Sequence, residues 1–328
     1  MLLLLFTLSV GALALGPESS SAAFVVTAPR DLNLRPVIGV LSQELSSSLE
    51  SVWGELNYTS FVAASYVKFL EAAGARVVPV KINRDLSYYQ QLIHSINGLL
   101  IPGGANFYNT SGYGQAGEIM YNLAVELNRQ GDYFPVWGTC LGFELLVYLM
   151  AGKDDPRIVC DAWDKADPLD FEPGFNQSKL FASALPAVVN ILANEAVTAN
   201  FHRYCVTKEL MSSANIVDDI AILATSVDHE GLRYVSAFES RTMPIYAVQF
   251  HPEKPAFEWN TREKNIPHTP NSISVSSYFA QFFVNEARKS LHQFTSLDDE
   301  RSSLIYNYAP TFTGAANKTY EQCYFFTD

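Results

Sequence analysis

The stretch DYFPVWGTCLGFE, residues 132–144, joins a short apolar run to a pair of closely spaced glycines. Residues 134–137 predict a buried strand. The apolar residues 143–150 predict a helix that ends at Gly152. Between strand and helix stands a G-x-C-x-G turn, in which Gly138 and Gly142 flank Cys140. Such glycines let a strand and a helix approach closely around a strained residue, whose side chain then stands at the strand's carboxyl end.

Cys140 therefore has two interpretations. Most unpaired cysteines are small buried apolar residues. A cysteine between two glycines at a strand-to-helix junction is instead the cysteine form of a nucleophile elbow, and we favour this interpretation. The positive end of the following helix is expected to favour the thiolate over the thiol.

A candidate base for this nucleophile comes about 110 residues later, in the stretch MPIYAVQFHPEK at residues 243–254. Pro252 stops the β-rich run, so His251 and Glu253 are expected at the rim of the sheet, where α/β folds gather their chemistry. An imidazole can accept a thiol proton and return it to a leaving amine, while a carboxylate orients the ring.

The elbow belongs to an alternation of strand and helix patterns. Strands are predicted at residues 36–41, 76–82 and 98–101, and helices at residues 58–73, 88–96 and 113–130. This order predicts an α/β fold with a parallel-rich central sheet and helices on both faces.

After Gly152 the pattern changes. Residues 154–176 are rich in Asp, Pro and Gly and predict surface loops, whereas residues 220–226 and 232–239 predict two short strands joined by a turn. A long helix is predicted at residues 272–291. The tail, residues 298–328, is rich in aromatic residues, so it is expected either to wrap the domain or to join a dimer.

Composition excludes some classes of protein. With 328 residues and 48% hydrophobic content, the chain can bury one large core, and its net charge of −12 argues against a nucleic-acid partner. Its four cysteines are too few for a disulfide scaffold. If Cys140 stays free, three remain, so at least one more thiol is free or pairs between chains. Cys205 lacks flanking glycines and is expected to be structural.

The amino terminus predicts a secreted protein. Residues 1–23 have the apolar run and small-residue end of a signal peptide, residues 24–35 form an extension, and residues 36–328 form a single domain. No later apolar run approaches the length of a membrane span. Four N-x-[ST] sequons predict glycans, at Asn57, Asn109, Asn176 and Asn317.

The G-x-C-x-G turn followed by QFHPE resembles the triad glutamine amidotransferases, which have a class I glutamine amidotransferase-like, flavodoxin-like fold. Within that group, the segments WGTCLGFE at residues 137–144 and TANFH at residues 198–202 resemble the gamma-glutamyl hydrolase family. The resemblance runs from about residue 36 to the carboxyl terminus.

The resemblance implies a site. Cys140, His251 and Glu253 would be the catalytic residues. The turn Pro102-Gly103-Gly104 resembles one side of an oxyanion hole, so the backbone amides of Gly103, Gly104 and Leu141 would stabilise the developing negative charge.

Substrate-binding roles follow from the resemblance and from charge. His202 and Glu144 resemble substrate-site residues of the hydrolases, and an imidazolium at His202 would help to hold a glutamate carboxylate at acidic pH. A poly-γ-glutamate tail is anionic while this protein is acidic, so local cations are needed. Arg203 and Lys254 are the candidates because they adjoin motif residues.

The resemblance implies a hydrolase of folylpoly-γ-glutamates that needs no cofactor or metal, forms a homodimer, and resides in the lysosome or the extracellular space. Two other functions stay open: a glutaminase that passes ammonia to a synthase, and a non-catalytic secreted binding protein on the same fold. The first would need a second catalytic domain or a cytosolic partner, and the intact Cys140, His251 and Glu253 argue against the second.

Overall fold

The computed structural model describes residues 32–316 and 318–327. The predicted signal peptide, most of the extension at residues 24–35, and the sequon residue Asn317 therefore lie outside the described residues.

The strands, in chain order, are β1 (Val37–Leu41), β2 (Gln43–Glu44), β3 (Ser60–Ala63), β4 (Arg76–Val80), β5 (Leu99–Ile101), β6 (Val136–Thr139), β7 (Ile158–Asp167), β8 (Asp170–Phe171), β9 (Thr198–Cys205), β10 (Ile220–Val227), β11 (Arg233–Ser240), β12 (Ile245–Val248), β13 (Thr311–Phe312) and β14 (Gln322–Phe326). The α-helices are α1 (Ser47–Trp53), α2 (Ala64–Ala72), α3 (Leu86–Ile93), α4 (Gly112–Arg129), α5 (Leu141–Met150), α6 (Pro186–Asn194), α7 (Lys208–Ser213), α8 (Lys254–Phe257), α9 (Pro270–Ala287) and α10 (Leu297–Ser303). Short 3₁₀ turns occupy Gly54–Leu56, Phe175–Gln177, Ile305–Asn307 and Gly314–Ala316.

The central sheet has the order β4-β1-β5-β6-β12-β11-β10-β8. Its first five strands are parallel, and β11, β10 and β8 continue it in antiparallel fashion. Every residue of β1, β5, β6 and β12 is buried, as expected for parallel strands covered on both faces. The parallel-rich α/β fold predicted from the alternating pattern is confirmed.

Helices cover the sheet from two sides. Val67 of α2 and Phe279 of α9 pack with Trp137 of the sheet in one apolar cluster. Met120 of α4 and Leu146 of α5 belong to the other cluster, together with α3. The two faces of each central strand are therefore buried against different helices, and this double packing fixes where the strand ends lie.

The prediction of surface loops over residues 154–176 is wrong for residues 158–167, which form strand β7 of a two-stranded ribbon with β9. The two strands pair in antiparallel fashion, with Ile158 opposite Cys205. A disulfide joins Cys160 to Cys205 across the ribbon, with their Cα atoms 5.8 Å apart. The prediction failed because β7 is polar and partly exposed, and its pairing partner lies about 40 residues later in the chain. The structural role expected for Cys205 is confirmed, and Cys140 and Cys323 are free and buried.

The aromatic tail wraps the domain, which was one of the two predicted outcomes. Strand β14 pairs with β3 in the four-stranded sheet β13-β14-β3-β2, and Phe325 stacks on Tyr58 with ring centroids 5.0 Å apart. This pairing also corrects the predicted helix over residues 58–73, because Ser60–Ala63 is a strand and the helix begins only at Ala64. The local apolar spacing suits a helix, but the distant tail offers those residues a strand partner.

Three of the four predicted sequons lie at the surface of the described residues. Within the described residues, no helix combines the length and the apolar character needed to cross a membrane. Asn57, Asn109 and Asn176 are exposed, so glycans could be attached there without disturbing the core. Glycosylation itself stays a prediction.

Candidate active site

The carboxyl ends of β5, β6 and β12 meet at one edge of the sheet because the three strands are parallel neighbours. Gly103 follows β5, Cys140 follows β6 and His251 follows β12. A side-chain carbon on Gly103 would lie 2.7 Å from His251 Cε1 and 3.1 Å from Cys140 Cβ. Cys140 and His251 therefore flank the same point, and only glycine fits between them.

Cys140 has the backbone of an elbow. Its φ is +52°, a left-handed value that is strained for a residue with a side chain, and α5 begins at the next residue. A side-chain carbon on Gly142 would lie 2.1 Å from the Ile101 carbonyl oxygen, and one on Gly138 would lie 2.6 Å from Leu146 Cδ1. The two glycines are thus required by close approach of β5, β6 and α5.

Burial governs the pKa of Cys140. Desolvation raises this pKa well above its usual value, and the negative charges of Glu144 and Glu253 add to the rise, while a hydrogen bond from the Leu141 amide opposes it. The direction is opposite to the expected stabilisation of a thiolate by the helix terminus. Because burial disfavours the thiolate, attack on a substrate requires a base that takes the proton.

His251 is held by two side chains. Its Nδ1 lies 2.7 Å from Glu253 Oε1, and Glu253 is fully buried. The Tyr66 hydroxyl lies 3.3 Å from the same nitrogen. A carboxylate accepts a hydrogen bond from an N–H, so Nδ1 carries the proton and Nε2 is left as the basic nitrogen.

The backbone amides predicted to form the oxyanion hole differ in their hydrogen-bond partners. The Gly103 N–H donates to the Tyr66 hydroxyl at 2.8 Å, so it is already engaged. The Leu141 N–H faces the Cys140 sulfur. Gly104 lines the cavity in front of Cys140, and its amide makes no hydrogen bond to any residue that the structure describes. Gly104 and Leu141 therefore fit the predicted role directly, whereas Gly103 fits only if Tyr66 moves.

Glu144 is buried beneath the elbow instead of lining the cavity. Its carboxylate accepts hydrogen bonds from Arg157 at 2.5 Å and from Gln249 at 3.2 Å. Burial raises its pKa and the Arg157 guanidinium opposes the rise. In this geometry Glu144 affects the site because its negative charge raises the pKa of Cys140. A direct contact between Glu144 and the substrate stays a prediction.

His202 lies behind the ribbon disulfide. Its Nδ1 is 2.9 Å from the Tyr204 carbonyl oxygen and 3.8 Å from each sulfur of Cys160 and Cys205. Burial lowers the pKa of this imidazole to about 3, so the ring is neutral at mildly acidic pH. The expected imidazolium is therefore disfavoured, and a role in substrate binding stays a prediction for a neutral ring.

A cavity of about 120 Å³ opens in front of Cys140 and His251. Aromatic rings form much of its wall, contributed by Phe61, Trp163, Phe201 and Tyr320. Lys254 and Glu263 also line it and form a buried ion pair. Arg203 is exposed, and its guanidinium lies 5.2 Å from the centroid of the Trp163 ring. Of the two predicted cations, Lys254 thus faces the cavity and Arg203 lies behind one wall.

Sequence reasoning missed several residues of this site. Tyr66, Glu263 and Tyr320 come from a helix, a loop and the tail, and none of them belongs to a local chemical motif. Residues 63–68, which include Tyr66, also resemble the hydrolases, and this resemblance was the available signal. Glu263 and Tyr320 carried no signal, because only tertiary folding brings them to the cavity.

Among the described residues, two groups each bring together three side chains of the types that bind metal ions. Cys160 and Cys205 of the first group form the disulfide and offer no thiolate. In the second group, His292 Nε2 pairs with Asp132 at 3.0 Å and His94 lies beside them. Asp132 precedes β6, so this group lies at the opposite end of that strand from Cys140.

Sequence comparison with known proteins points to one family. Residues 36–253 match the profile of the family described as Peptidase C26. The chain is 39% identical over 297 residues to Gamma-glutamyl hydrolase of Homo sapiens, covering 90% of this chain and 91% of the relative. It is 40% identical over 293 residues to that of Bos taurus, covering 89% and 90%. Gamma-glutamyl hydrolase B of Dictyostelium discoideum is 36% identical over 297 residues, covering 90% and 84%.

Proposed function

The chain belongs to the gamma-glutamyl hydrolase family, peptidase family C26, and we propose that it hydrolyses γ-glutamyl amide bonds through Cys140, His251 and Glu253. The observation that carries the proposal is the convergence of three parallel strand ends on one cavity, with Cys140 and His251 on either side of Gly103. The 2.7 Å contact between His251 and Glu253 supports their pairing as base and orienting group.

The first half of the reaction forms a thioester. The Cys140 sulfur attacks the carbonyl carbon of the γ-amide while its proton passes to His251 Nε2. Glu253 stabilises the imidazolium that results, because it accepts the Nδ1 proton. The carbon–nitrogen bond then breaks, and His251 gives its proton to the leaving amine. Amides of Gly104 and Leu141 would donate to the oxyanion in between.

The second half restores the enzyme. Water attacks the thioester carbon as His251 again accepts a proton, and the carbon–sulfur bond breaks to release a carboxylic acid and the Cys140 thiol. The raised pKa of Cys140 favours the protonated thiol as the leaving and resting form. The cycle therefore couples each attack to a proton transfer through His251.

Folylpoly-γ-glutamate is the proposed substrate. The cavity offers aromatic surfaces, such as those of Trp163 and Phe201, and one buried cation, Lys254. Rings of this kind suit a flat heteroaromatic group, and a lysine suits the carboxylates of a polyglutamate tail.

Compartment and assembly are also proposals. The Cys160–Cys205 disulfide supports folding in the oxidising secretory pathway, with delivery to the lysosome or the extracellular space. A homodimer is proposed as well. Val159 and Tyr204 of the ribbon are exposed apolar or aromatic side chains that such an interface could cover. Light scattering after size-exclusion chromatography would give twice the chain mass for a dimer.

The test of function is product analysis. Purified protein is incubated with folate pentaglutamate and, separately, with free glutamine, and products are identified by mass spectrometry. We expect shortened folate polyglutamates from the first substrate, little ammonia from the second, and neither product from the Cys140→Ala variant at an unchanged melting temperature. Turnover of glutamine alone would favour a glutaminase, and absence of turnover on both would favour a binding protein.

A further inference from the structure

Lys254 is an unusual lysine because its whole side chain is buried. Its side chain is 2% exposed, and its ammonium lies 2.7 Å from Glu263 Oε2. The same ammonium lies 4.4 Å from the centroid of the Phe201 ring and 5.8 Å from that of Tyr320. Both charged residues line the cavity that contains Cys140. A charge buried in this way is stable only while an anion accompanies it.

The cavity beside Lys254 is small and open to solvent. Its volume of about 120 Å³ is below the roughly 300–1,000 Å³ of ordinary small-molecule sites, so a folylpolyglutamate would extend beyond it. Displacement of Glu263 from Lys254 would make room for one more group of the substrate. Glu263 lies in the connection between α8 and α9, outside any helix or strand, so it can move without breaking the central sheet.

The anion that contacts Lys254 belongs to the same chemical class as the free groups of the ligand. A glutamate side chain ends in a CH₂–CH₂–carboxylate group, and the terminal unit of a poly-γ-glutamate has the same free group. Every other unit has its γ-carboxyl in the amide bond and carries a free α-carboxylate. From this similarity of chemistry, the shared cavity and the buried pair, we infer that Lys254 forms a carboxylate subsite which Glu263 occupies in the free enzyme and which a glutamyl carboxylate of the substrate takes over. The inference rests on the proposed function.

A competing role and a purely structural role for Glu263 predict opposite effects of its charge on substrate binding. If Glu263 only positioned Lys254, removing its charge would weaken substrate binding. If Glu263 competes with the substrate, removing its charge frees Lys254 and strengthens binding of an added carboxylate. The two roles therefore predict opposite changes in KM.

The test compares Glu263→Gln with the wild type in two measurements. Glutarate, a free dicarboxylate, is added during thermal melts, and KM is measured with folate pentaglutamate. We expect glutarate to raise the melting temperature of Glu263→Gln more than that of the wild type, and KM to fall at least threefold. Lys254→Met should abolish the effect of glutarate. Glu118→Gln is the matched control, because Glu118 pairs with Lys153 on the surface, and it should change neither quantity.

A higher KM for Glu263→Gln, or a response to glutarate no greater than that of the wild type, would overturn the inference. Should Glu263→Gln fail to fold, Glu263→Asp keeps the charge and withdraws it by one methylene. KM should then fall to a smaller extent, and an unchanged or higher KM overturns the inference equally. The glutarate melts need no turnover, so a wild type that binds glutarate but cleaves nothing would refute the proposed function and leave the subsite standing.

Discussion

The Cys160–Cys205 disulfide should contribute a large part of the stability of this protein. The two cysteines are 45 residues apart in the chain. In the chain-entropy treatment, a closed loop of that length lowers the entropy of the unfolded chain by about 13 cal/mol/K, which is about 4 kcal/mol at 25 °C. The free energy of unfolding of a whole domain is only about 5–15 kcal/mol, so the double variant Cys160→Ala/Cys205→Ala should be markedly destabilised.

The assay is urea unfolding of the double variant and the wild type, followed by tryptophan fluorescence. Cys323→Ala is the control, because Cys323 is also buried but closes no loop, and it should cost about 1 kcal/mol, as a typical point substitution does. The ribbon also carries Trp163 and Phe201 into the cavity wall. We therefore expect KM of the double variant to rise more than its kcat falls. A double variant within 1 kcal/mol of the wild type would refute the reasoning.

Two further predictions concern the histidines. His251→Asn should be nearly inactive while Glu253→Ala keeps partial activity, because an orienting group matters less than the base it orients; steady-state kinetics that show equal losses would assign proton transfer to Glu253. The pKa of His202 is lowered from 6.5 to about 3 in the fold, so the unfolded chain binds the extra proton and stability falls as pH decreases from about 6.5 towards 3. His202→Asn should lose less stability than the wild type between pH 7 and pH 4 in urea titrations, and an unchanged pH dependence would contradict the assigned burial of a neutral ring.

Local patterns predicted the parallel half of the fold because its strands are buried on both faces. Residues 36–41 and 98–101 are continuous apolar runs, and each becomes a strand of the central sheet. The predictions failed where a strand depends on a distant partner. Strand β3 needs the tail strand β14, and β7 needs β9. Neither partner is visible within a short window of sequence.

The residues of the candidate site also fall into two groups, those that local sequence predicts and those that only the tertiary fold brings together. Cys140 and His251 lie at the ends of predictable strands, and each belongs to a local motif, the G-x-C-x-G turn and QFHPE, that predicted it. Tyr66 reaches His251 and the Gly103 amide from α2, a position that no spacing in the sequence encodes. The pKa of the Cys140 thiol is raised by burial, opposite to the direction expected from the helix terminus. The helix terminus is a local feature of the sequence, whereas the burial is a tertiary one.

The last part of the cavity wall comes from residues that follow the catalytic motifs in the chain. The matched family segment ends at residue 253, which is also the last of the three candidate catalytic residues. The wall of the cavity is completed later, by Glu263 from a loop and by Tyr320 from the tail. The tail is held in place because Cys323 of β14 pairs with Ala63, directly before the helix that carries Tyr66. This sheet pairing couples the part of the wall that the tail contributes to the helix that supports His251, so the shape of the cavity depends on the tail.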